Sequence, residues 1–224
     1  MLPVVRDPAI LSARSKVYHC LADRWYVKNQ ERHVRDRSAG HCSGQPLTDE
    51  IIAMTRRWLE RSVIGLNLCP FAAGPYHDDR VHFFVSEQRT ASGLVEDLRS
   101  ELLNLQSADP AQRETTLLIH PWVLADFLEY NEFLDVCDAM IDELGLEGEL
   151  QVASFHPRYQ FADTQPEDID NFTNRSPYPM LHLLREASVE RAIAAAGDTE
   201  EISRRNIRTL RELGHLGWQR LWRD

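Results

Sequence analysis

Lysine is almost missing from this chain. Its two copies, Lys16 and Lys28, both precede residue 46, and everything after them relies on arginine. No run of eighteen apolar residues exists, so no segment predicts a membrane-spanning helix. The opening "MLPVVRDPAILSARSK" carries prolines and charges where an export signal needs an unbroken apolar stretch, which points to the cytoplasm. The four cysteines (Cys20, Cys42, Cys69, Cys137) form no CxxC and read as free thiols. A nucleotide-binding glycine loop, GxSxG and HExxH are all lacking, which removes several common enzyme classes and names no cofactor.

The charge that is present is unevenly divided. Residues 1–46 hold eight Lys and Arg against four Asp and Glu, a net of +4, while the remainder of the −10 chain carries −14. That first segment shows no sustained helical or strand periodicity and reads as a poorly ordered basic extension. Its His-Cys pairs, His19-Cys20 and His41-Cys42, fit no zinc template. Residues 47–224 read as a single domain, whose acidic body argues against a nucleic-acid surface.

Periodicity gives that domain its class. Thr48 caps a helix whose expected buried face is Ile52, Thr55, Leu59, Val63 and Leu66, with Cys69-Pro70 ending it. "RVHFFVSE" and "TTLLIH" read as strands, separated by a helix with leucines at 94, 98, 102 and 105. A further helix stops at Gly145, and "LQVASF" (150–155) is the third strand. Two helices, about 179–196 and 199–222, follow. The expectation is an α/β fold: a βαβαβ core with a small parallel or mixed sheet, one N-terminal helix and two C-terminal helices packed on it. A further strand has room in "RYQFADT".

Three stretches, "WLERSVIGLNLCPFA", "ELQVASFHPRYQFADT" and "NRSPYPMLHLLREASVERA", resemble a bacterial family known as a domain of unknown function, number 1415. The resemblance runs over residues 48–213 and implies no activity, cofactor or catalytic residue.

Candidate chemistry therefore comes from the residues. "LLIHPW" and "ASFHPRYQF" end two strands alike, so His120 and His156 fall at the carboxyl edge where open sheets bind ligands. Each imidazole serves there either as an acid/base group or as a cap on local backbone. Arg158 and Arg175 are candidate anion clamps, and Ser176 lies beside a helix N-terminus expected after Pro177 and Pro179. His182 is expected in that helix's first turns, and Trp122 on the pocket wall or in the core. Cys69 and Cys137 read as buried thiols. Three classes fit: an enzyme acting on a small anionic molecule, a metal site drawing on His120, His156, His182 and an aspartate from 163–170, or a non-catalytic ligand-binding domain. The sequence fixes no oligomeric state.

The domain boundary is testable directly. A protein lacking residues 1–46 should keep a cooperative melting transition; its loss would make the extension structural.

Overall fold

The computed structural model describes residues 48–196 and 199–222, so the expected extension lies outside the described residues. Helix α1 (Thr48–Trp58) runs straight into a π-helical turn, Leu59–Ile64. Gly65 closes that turn by donating to Glu60 O at 2.9 Å, five residues back. A Cβ at Gly65 would sit 2.5 Å from Arg61 O, so the closure requires glycine. The remaining elements are α2 (Ala73–His77), β1 (Val81–Val85), α3 (Ala91–Ser107), β2 (Thr115–Ile119), α4 (Phe127–Glu143) and β3 (Leu150–Phe155). A 3-10 turn (Ile169–Thr173), β4 (Met180–Arg185), α5 (Glu186–Ala196) and α6 (Thr199–Arg220) complete the order. Gly214, at φ 62°, kinks α6.

The four strands form one mixed sheet in the order β1-β2-β4-β3. β1 and β2 are parallel, and β4 runs antiparallel to both β2 and β3. The α/β class is as expected, but one helix boundary is corrected. The helix expected from residue 179 begins only at Glu186, because 180–185 is strand β4. Met and Leu favour helices, yet a central strand buries both faces and so shows no alternation. Met180, Leu181 and Leu183 are all fully buried there. The extra strand therefore arises in "MLHLLR", while "RYQFADT" is irregular.

Helices α3 and α4 cover one sheet face. Leu94, Leu98, Leu102, Phe133 and Cys137 pack on Leu118, Leu181 and Leu183, as the leucine spacing predicts. Asp126 caps α4 by accepting from Leu128 N and Glu129 N, and Gly145 at φ 66° follows its end. On the other face α1 and the π-turn press Ile51, Trp58, Leu59 and Val63 against Ile119, Phe155 and Met180. The buried stripe thus uses Ile51 and Trp58 where Ile52 and Leu66 were expected. Ile51, Thr55 and Trp58 form one helical stripe within α1, and past the π-turn Leu66 packs partly buried beside Leu68 and Leu210.

Tyr130, on α4, ties the last two strands together. Its hydroxyl donates to Met180 O at 2.8 Å and accepts from Phe155 N at 2.9 Å, fully buried. Tyr130→Phe should cost about 1–3 kcal/mol for each backbone group left unpaired. Urea unfolding checks this, and a loss too small to measure would show the bridge to be incidental.

Candidate functional site

At the strand carboxyl ends the two expected histidines do converge. The rings of His120 and His156 lie 5.8 Å and 5.0 Å from that of Tyr130, and both residues are buried. Each ring turns one nitrogen to the β2–α4 loop. His120 Nδ1 donates to Val123 O at 2.9 Å, and His156 Nε2 donates to Leu124 O at 3.2 Å. His156 Nδ1 accepts from Arg158 N at 3.0 Å, which commits both nitrogens of that ring. Arg158 adds a bond to Ala125 O at 2.5 Å. Leu124 is thereby held at φ 58°, a left-handed conformation that costs an L-residue about 1–2 kcal/mol. One polar atom stays unused: His120 Nε2 is buried without a hydrogen-bond partner among the described residues.

The stretch "NFTNRSPYP" is occupied in a similar way. Asn171 binds Phe161 N, Thr164 Oγ1 and Gln165 O. Asn174 Nδ2 donates to Ser154 O, and its carbonyl accepts from His156 N. Arg175 donates to Tyr159 O at 3.2 Å and to Pro166 O, with its guanidinium 4.3 Å above Phe172. Ser176 Oγ donates to Tyr178 O at 2.7 Å. These side chains satisfy the backbone of a long irregular segment, which would otherwise bury unpaired groups. Arg175 is not placed between the histidines, and the helix N-terminus expected beside Ser176 is replaced by the entry to β4. Trp122 packs partly buried in the core on the α1 side, with the Arg89 guanidinium 4.5 Å above its ring.

A different feature opens on the sheet face that carries α1. A cavity of about 440 Å³ lies beside the α1 packing, under α5 and the start of α6. Register places His182 between Leu117 of β2 and Ala153 of β3, and all three line it. Its walls include Leu59, Cys69 and Val189, and its charged members are Arg80, Glu114, Arg185 and Arg191. Sequence reasoning expected His182 on a helix and missed the wall residues. A second cavity of about 320 Å³, at the outer edge of β1, is lined by Arg56, Asp79, His82 and Arg113. The Arg113 guanidinium there is already bound to Glu101 and Thr116.

His182 is unusual in its bonding. Thr115 Oγ1 sits 2.5 Å from Leu183 O, to which it must donate, so it accepts from His182 Nε2 at 2.7 Å. Nδ1 therefore keeps its lone pair, buried and without a partner among the described residues. Burial lowers the pKa of His182 to about 3 and that of His120 to about 4. His156 is lowered to about 4, chiefly by burial, with the Arg158 charge adding to it. Burial raises the thiol pKa of Cys69 and that of Cys137, which keeps both protonated at neutral pH. Among the described residues, no three His, Cys, Asp or Glu side chains are grouped to hold a metal ion.

The histidines have a consequence for acid stability. Each is neutral when folded but gains a proton near pH 6.5 when unfolded, so its contribution is full above pH 6.5. That contribution is lost as pH falls from 6.5 toward 4 for His120 and His156. His156→Gln should flatten the decline of unfolding free energy there by about 1.4 kcal/mol per pH unit. Arg175→Ala should leave both histidine NMR titrations unchanged; a raised pKa would return Arg175 to their surroundings.

No curated protein and no solved structure matches the chain. A family model does match, over residues 50–220, and its description is protein of unknown function (DUF1415). With most of its length matched, this chain belongs to that family.

Proposed function

We propose that this chain is a binding domain for a small, largely apolar molecule, received in the cavity over β2, β4 and β3. The observation that carries this reading is the cavity itself. At about 440 Å³ it falls within the roughly 300–1,000 Å³ of small-molecule sites. Its walls come from rigid strands and helices, with Ala153 and the His182 ring at the floor. Of the residues expected to bind substrate, Trp122, Arg158, Arg175 and Ser176 do not line it, whereas His182 does. A ring with its pKa near 3 is a poor general base at neutral pH, which favours binding over catalysis.

The acid/base reading at the strand carboxyl ends is the second reading. It rests on the unpartnered Nε2 of His120 and requires the 121–126 loop to open before a small anionic substrate could reach it. Arg158, exposed beside His156, is the clamp that this reading retains.

Octan-1-ol serves as a neutral apolar probe for the first reading. It should raise the melting temperature and shift backbone NMR signals of β3 and β4. Ala153→Leu, which pushes three more carbons into the cavity, should abolish both effects. Its own stability should change by less than about 1.5 kcal/mol, since the added volume meets open space. Equal stabilisation of wild type and variant by the alcohol would place binding elsewhere.

A further inference from the structure

We propose that the natural occupant of this cavity is an organic anion: an apolar body carrying one carboxylate or phosphate monoester head. The inference rests on the cavity reading above and adds the chemistry of the ligand. Register puts Val81, Thr115 and Leu184 at one end of the sheet. Arg80 precedes β1, Glu114 precedes β2, and Arg191 of α5 reaches Glu114, so the charged lining gathers at that end. The apolar wall, from Leu117 and Ala153 to Leu59 and Cys69, lies farther in. The site is therefore polar at one end and apolar along its depth.

The charged end is positive. Arg80 and Arg191 against Glu114 leave a net of +1 there, on a chain whose formal net charge is −10. Glu114 is shared: Arg80 Nη1 approaches it at 2.6 Å and Arg191 Nη2 at 3.5 Å. Arg80 also reaches Asp78 at 2.9 Å, an exposed carboxylate outside the cavity lining. Arg185 spends its guanidinium on Leu105 O, Ala108 O and Arg113 O, and its buried Nε has no partner. Leu105 and Ala108 end α3, on the face where Leu181 and Leu183 pack, so that guanidinium lies away from the cavity. Arg191 is the accessible member, 68% exposed, while Glu114 is only 12% exposed. An incoming anion therefore meets the Arg191 fork first, whose planar donors suit carboxylate and phosphate alike. Electrostatics set the head at the mouth, and burial of the chain draws the body inward.

Four probes of one chain length separate the possibilities by calorimetry on the full-length protein: octanoate, octyl phosphate, octan-1-ol and octylammonium. At least one anion should bind about tenfold tighter than the alcohol, the return expected of one charge-assisted contact. The tighter of the two identifies the head group. Arg191→Ala should remove most of that preference, and added salt should do the same. If the alcohol binds as tightly as both anions, or octylammonium binds tightest, the anion inference fails and the cavity reading stands. If Arg191→Ala leaves the anion preference intact, the head is not at this mouth and the inference also fails. Binding by none of the four overturns both readings.

Discussion

Strand β4 is the joint on which the rest of the molecule hangs. Strands β2 and β3 run in the same direction but do not pair; each takes its ladder from the two edges of β4. An antiparallel strand can enter such a gap because it needs no crossover, only a chain that returns from the far end. The segment from His156 to Pro179 makes that return. Tyr130 secures the entry, holding one residue of β4 and one of β3 through a single hydroxyl. Because β4 then leads directly into α5, the C-terminal helices come back over the half of the sheet that α1 does not cover. The cavity is what remains between them.

That return explains why the carboxyl edge looked so rich in chemistry. A segment of more than twenty residues without a ladder must find partners for its amides and carbonyls. Histidine, arginine, asparagine and serine are the side chains that can supply them, and they are also the side chains of active sites. His120 and His156 both give a ring N–H to one loop carbonyl, and Arg175 gives its donors to two others. The residue types alone do not separate these uses. Bonding partners do: His156 has no nitrogen left to offer a ligand, while His120 has one and His182 has one.

The same distinction governs what could be read in advance. Strands β1 to β3 and helices α3 and α4 were legible because each repeats one period and buries one stripe or run. Strand β4 was not, since "MLHLLR" is apolar on both faces and precedes "EASVERAIAAA", so its helix-forming residues joined a real helix downstream. The cavity had no signature at all. Its walls come from α2, the π-turn, all four strands and the C-terminal helices, and part of its floor is the small side chain of Ala153. A missing side-chain volume at the meeting of distant segments leaves no pattern in any one of them.

The size of that space decides how it must be regarded. Core cavities cost about 24 cal/mol per Å³, so 440 Å³ enclosed and dry would cost about 11 kcal/mol. Such a cost is comparable to the whole stability of an ordinary domain, about 5–15 kcal/mol. A dry void is therefore excluded. Water can be held at the mouth, where Arg80, Glu114 and Arg191 offer donors and acceptors. Farther in, Leu59, Leu117 and Ala153 give it nothing to bond, and His182 Nε2 and Thr115 Oγ1 are committed to each other, which leaves the buried His182 Nδ1 as an acceptor. Water over that floor is thus poorly held, and an apolar chain that displaces it gains free energy without breaking a protein hydrogen bond. The binding proposed for this sheet face rests on that contrast, an inner wall wetted weakly and a mouth wetted well.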